Sequence, residues 1–121
     1  MTFRFVARVV AVVCVALFII LGFFPRAYGP TYGIGADDGV VFITRRAAPM
    51  FVAPAMILWV AAAVPRTTLR DAVAGAVALM WVGIAASGVL AWSQGIASPL
   101  ILIAALFEGA VAAALWLTRK N

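Results

Sequence analysis

The chain has no histidine, one cysteine and only four acidic residues in 121 positions. Without imidazole it cannot supply the ligands expected of membrane haem or of most zinc and copper sites. Cys14, inside the first apolar run, can form neither an internal disulfide nor a Cys-x-x-Cys redox pair. Ser87 and Ser93 have no histidine to activate them, and no glycine-rich phosphate loop follows a strand. The expectation is no catalytic residue, no metal ligand and no cofactor, and a chain that is not an enzyme.

Charge is equally scarce. Only 11% of the residues are charged, against about 25% in soluble domains. What replaces them is apolar: 67% of the chain, with a mean hydropathy of +1.17. This composition belongs in a bilayer. The length suits one transmembrane domain over residues 1–121, and the connections are too short to hold a second core. The net charge of +5 comes mostly from residues at helix ends, where anionic lipid and the positive-inside bias account for it. No basic patch is interleaved with aromatics on a soluble face, so nucleic acid is not expected as a partner.

Four apolar stretches define the expected helices, about 4–24, 39–64, 70–92 and 99–118. The first follows Arg4 and Arg8, which can snorkel to the interface. A signal peptide has the same basic start and apolar run, but no small-x-small cleavage site follows, and Val12 and Val13 before Cys14 do not make a lipobox. A retained helix is expected. Residues 25–38 are rich in Gly and Pro and read as a loop, either a solvated connector or a cap over the bundle mouth carried by Tyr28 and Tyr32.

Asp37 and Asp38 are N-cap candidates for the second helix. A start at Gly39 places Arg45 and Arg46 roughly two turns inside it, at membrane depth, with Pro49 and Pro54 bending it further on. A short basic turn leads to the third helix. There Gly83, Ser87 and Ala91 recur every fourth residue, as do Ala74 and Ala78, giving faces that another helix can approach closely. Trp92 and Trp116 fall at helix ends and suit the aromatic belts, whereas Trp81 is mid-span and must pack or face lipid.

The last helix holds the one embedded acid, Glu108, on a stripe with Ala104 and Ala112. Such a carboxyl can be a protonated group hydrogen-bonded to its surroundings, half of a structural ion pair, or a proton- or cation-binding site. Depth favours a pair. Glu108 lies about 13 Å below Pro99, and Arg45 and Arg46 about 9 to 11 Å below Gly39, with both helices starting on the same face. The expected intramembrane pair or ligand site is therefore Glu108 with Arg46 or Arg45.

Three segments, FITRRAAPMFVAPAMIL, SQGIASP and LFEGAVAAALWL, together resemble the DoxX-like group of four-helix membrane proteins, especially its short bacterial branch of undefined function. The shared features are an Arg early in the second helix, a Gly-x-x-Ser-Pro-like turn, and an embedded Glu in the last helix. Members often carry another Arg near the end of the third helix. Residues 85–91 offer none, which leaves Arg45 and Arg46 as the candidate partners of Glu108. The resemblance implies a bacterial inner-membrane protein with an accessory role.

The expected fold is an all-α polytopic membrane protein, an antiparallel four-helix transmembrane bundle with both termini cytoplasmic. Six basic residues at one end, Arg4, Arg8, Arg66, Arg70, Arg119 and Lys120, outnumber Arg26, Arg45 and Arg46 at the other. The expected location is the cell (cytoplasmic) membrane, multi-pass. The expected partners are the lipid bilayer and other membrane subunits or further copies of the chain. The expected function is that of a non-catalytic accessory or assembly subunit of a membrane complex. The alternative is a carrier or binder of a lipophilic or cationic ligand that uses Glu108.

Overall fold

Thr2 opens the first helix, its hydroxyl accepting from the Phe5 amide at 3.4 Å. In the computed structural model, which describes all 121 residues, this helix is α1 (Phe3–Phe23). Its buried positions, Phe3, Val6, Ala7, Val10, Ala11 and Cys14, follow the three-and-four spacing of one helical face. The helix stops before Pro25, which has no N–H to donate and pushes Phe24 out of the helical region, to φ −124° and ψ 43°.

The connection that follows is not a plain loop. Residues 25–31 form a short helix, α2 (Pro25–Thr31), with Pro25 in the first turn, where a missing donor costs nothing. Two glycines let it fold back. A Cβ on Gly29 would fall 2.8 Å from the carbonyl oxygen of Gly35, and Gly33 has φ +73°, a conformation other residues rarely adopt. The Ser98 amide then donates to the Tyr32 carbonyl at 2.7 Å, fastening the end of α2 to the turn before the last helix. This correction to the expected loop 25–38 comes from contacts remote in sequence.

Asp37 caps α3 (Asp38–Ala47), accepting from the Val40 amide at 3.0 Å. The expected second helix is not continuous. Pro49 and Pro54 each remove a donor and crowd the carbonyl four residues back, and a 3₁₀ turn over Ala48–Phe51 takes up the change before α4 (Val52–Ala61). The span Asp38–Ala61 ends three residues short of the expected 64, in a turn ahead of Pro65.

Thr67 caps α5 (Thr68–Ser93) by accepting from the Arg70 amide at 3.1 Å, so this helix begins two residues earlier than expected. After a turn closed by Gly95, at φ +70°, α6 (Leu100–Thr118) follows Pro99. The chain has no strand. Four helical stretches, Phe3–Phe23, Asp38–Ala61, Thr68–Ser93 and Leu100–Thr118, are long and apolar enough to cross a membrane. Large apolar side chains on their outer faces agree with that: Leu106, Leu117 and Leu79 are each at least 70% exposed.

Helix α5 packs most extensively on α6, and α1 on α4. The main core gathers Phe3 to Cys14 of α1, Ala55 to Ala62, Ala74 to Trp81 of α5, and Val111 to Leu115 of α6. Trp81 is at its centre, 1% exposed, with the Phe51 ring 6.4 Å away. The core lies towards the end where Phe3, Arg70, Arg119 and Asn121 meet. Glu108 sits one helical turn past Val111, outside it.

Candidate functional site

On α6, Glu108 is half-buried, beside half-buried Ala104 and buried Ala112. Its carboxylate makes no ion pair. The ion pairs of the chain are Arg26–Asp38, Arg66–Asp71 and Arg70–Asp71. The expected pairing of Glu108 with Arg45 or Arg46 is therefore not formed. Helix α3 packs on α1 and α2, whereas α6 packs chiefly on α5, and both arginines are exposed. The rise per residue sets how deep a side chain lies; it does not set which helix stands next to it.

Tyr28, on α2, is a group that feels the charge of this carboxylate. Tyr28 on α2 and Tyr32, which caps its C-terminal end, meet edge to face with ring centroids 5.3 Å apart and planes at 73°. Burial pushes the Tyr28 hydroxyl up to about 12, with Tyr32 and then Glu108 adding to the shift through their negative charge. Glu108 thus lies within electrostatic range of Tyr28. A phenol that stays neutral can donate a hydrogen bond, and a carboxyl without an ion-pair partner can accept one or take up a cation.

The chain has two tyrosines, so this shift can be read directly. An absorbance titration is expected to show one phenol ionising only near pH 12. The folded-state value is raised, so the stabilising contribution is complete below the ordinary value of 10 and is lost as pH climbs from 10 towards 12. The absence of any phenol ionising above the ordinary range would contradict the buried placement of Tyr28.

Arg45 and Arg46 line a groove at the other side of the cap. It has a volume of about 610 Å³ and includes Arg26, Asp38, Phe42 and Pro49. The Arg46 guanidinium stands 5.6 Å from the centre of the Phe42 ring. Asp38, in the first turn of α3, binds Arg26 at 2.9 Å, while Asp37 serves as the cap.

The opposite end holds a residue whose importance sequence reasoning missed. Arg70 is 9% exposed, stacks at 4.4 Å on the Phe3 ring, and donates to the main-chain oxygens of Arg119 at 3.2 Å and Asn121 at 2.9 Å. The signal was available in Thr67, a good cap, with Asp71 in the turn after it; together they start α5 before Arg70 and carry that side chain into the bundle. Nearby, Arg4 donates to the Ala62 carbonyl at 3.0 Å, and the Arg119 guanidinium lies 3.3 Å from the centre of the Trp116 ring. No three His, Cys, Asp or Glu side chains come together in a way that could hold a metal ion.

Fold and composition together define a multi-pass helical membrane protein whose last apolar helix carries a half-buried carboxylate without an ion-pair partner. No protein-family model, no curated protein and no solved structure matches the chain.

Proposed function

We propose that the protein is a non-catalytic accessory or assembly subunit of a membrane complex. It crosses the cell membrane four times as an antiparallel bundle, with both termini in the cytoplasm. The charge bias between the two ends supports this orientation, and the resemblance to the DoxX-like group supports the accessory role.

The observation that carries the reading is a continuous groove between α5 and α6 on the membrane-facing side. Two adjoining cavities of about 400 and 440 Å³ share Val82 and Gly109 and run from Trp116 to Leu102. Their walls are rich in Ala78, Ala85, Ala86, Ala105, Ala112 and Ala113. A Cβ on Gly109 would meet nothing within 4 Å. A groove lined by small residues lets a helix backbone come close, which is how helices associate where lipid offers no hydrophobic driving force.

A transmembrane helix of another subunit is the occupant this reading requires. Purification in a mild detergent, without cross-linking, should recover the wild-type chain with a stoichiometric partner, and Gly109→Leu should release it. Recovery of the wild type only as monomer or homo-oligomer would refute the accessory role.

A second reading is favoured by the half-buried Glu108 carboxylate, which no cation of the chain pairs. Here the protein carries or binds a lipophilic or cationic ligand, and for a cation the carboxylate supplies the missing counter-charge. A ligand-induced shift that depends on pH and disappears in Glu108→Gln would favour it over the accessory role.

A further inference from the structure

We propose that Arg26, Arg45 and Arg46 form a binding site for the phosphate of an anionic phospholipid headgroup. The site lies in the groove between α2 and α3, with the acyl chains running along the exposed apolar side chains below it. Three guanidiniums and one carboxylate line this groove of about 610 Å³, leaving a net charge of +2.

Arg26 is already held, donating to Asp38 at 2.9 Å and to the Ala36 carbonyl at 3.1 Å. Its charge is therefore balanced by Asp38. Arg45 and Arg46 make no hydrogen bond and no ion pair; the one close partner of either guanidinium is the Phe42 ring beneath Arg46. Ten guanidinium N–H donors in two adjacent residues are thus free for an acceptor from outside the chain.

Their placement selects the acceptor. Both arginines belong to a stretch, Asp38–Ala61, that is apolar enough to cross a membrane, about 9 to 11 Å along the helix from Gly39. A charge at that depth needs a counter-charge or a route to the headgroups. Phe42, Ile43 and Met50 around them are 57%, 64% and 72% exposed, offering an apolar surface continuous with the charged groove. Free phosphate could use the guanidiniums but not this surface. A phospholipid uses both.

The test uses the full chain purified in a neutral detergent, with native mass spectrometry to count retained lipid. Phosphatidylglycerol, phosphatidylcholine, diacylglycerol and inorganic phosphate are the probes. Phosphatidylglycerol should be retained in preference to phosphatidylcholine, and diacylglycerol should not be retained. In the Arg45→Gln, Arg46→Gln double variant its retention should fall about tenfold or more. The Arg45→Lys, Arg46→Lys variant should keep most of it, and Lys120→Gln, an exposed change at the opposite end, should leave it unchanged.

Equal retention of the two phospholipids, retention of diacylglycerol, or undiminished binding in the Gln variant would overturn the proposal. Binding of inorganic phosphate alone, with no preference among lipids, would reassign the groove to free phosphate and overturn the lipid assignment. Should the Gln variant fail to fold, the wild type and the Lys variant decide: a lipid without phosphate held as firmly as phosphatidylglycerol refutes the site.

Discussion

Trp81→Ala is expected to be the most destabilising single substitution in the chain, costing about 3 to 5 kcal/mol, the range for emptying a large aromatic site in a packed core. Trp81 is 1% exposed and is the largest of the fully buried side chains. It also supports the break in the second span. Phe51, the last residue of the 3₁₀ turn forced by the prolines, packs on its ring at 57°. Removing the indole would leave a cavity between α5 and a segment that has already lost helical hydrogen bonds.

The indole N–H sharpens the prediction, because the Trp81 Nε1 is buried and has no acceptor. Trp81→Phe removes an unpaired donor along with one ring, and the two effects oppose each other. Its net cost should be no more than about 1.5 kcal/mol, the level of a tolerated apolar swap. Thermal unfolding in detergent, followed by circular dichroism, separates the two variants. A Phe variant as damaged as the Ala variant would mean that the N–H has a partner, and an Ala variant as stable as the wild type would mean that the centre of the bundle is not where Trp81 places it.

Arg70→Ala should cost about 2 to 4 kcal/mol. The side chain holds three parts of the protein together: Phe3 at the start of α1, its own helix α5, and the main chain after α6 through Arg119 and Asn121. Truncation removes these bonds and leaves Asp71 with Arg66 alone. Arg70→Lys keeps the charge but loses the planar face that lies on Phe3 and the reach of Nη2 to the main-chain oxygens of Arg119 and Asn121, so it should recover less than half of the loss. Hydrogen exchange would locate the effect. Protection should fall at the start of α1 and the end of α6 and hold near Ala48; uniform loss along the chain, or none, would contradict the anchoring role.

The four spans were legible because an uncharged apolar run of this length matches the thickness of a bilayer and has no place on a soluble surface. Asp37 was legible because a short acceptor before an apolar run has a defined task at a helix start. Helix α2 was not. A seven-residue segment with glycine and proline has no stability of its own; it is held by Gly29 against residues 34 and 35 and by Ser98 on Tyr32, contacts that no local pattern encodes. The prolines announced a bend in the second span, but not that it takes the form of one 3₁₀ turn with Ala48 buried and Phe51 against the core. Glu108 shows the limit most clearly. Its depth follows from the chain, yet no arginine at the same height pairs with it, because helix order around the bundle is decided by packing.

The proposed role depends on another helix lying in the α5–α6 groove, and site-specific photo-cross-linking in native membranes addresses that contact most directly. A photoreactive residue placed at Val82, Ala86 or Gly109 should give a discrete protein adduct of one mass, while the same probe at Ile19 or Ile20, exposed on α1, should give none. If the groove positions yield only lipid adducts, or if the α1 positions cross-link to the same protein equally well, then this face does not receive a partner helix and the accessory role fails.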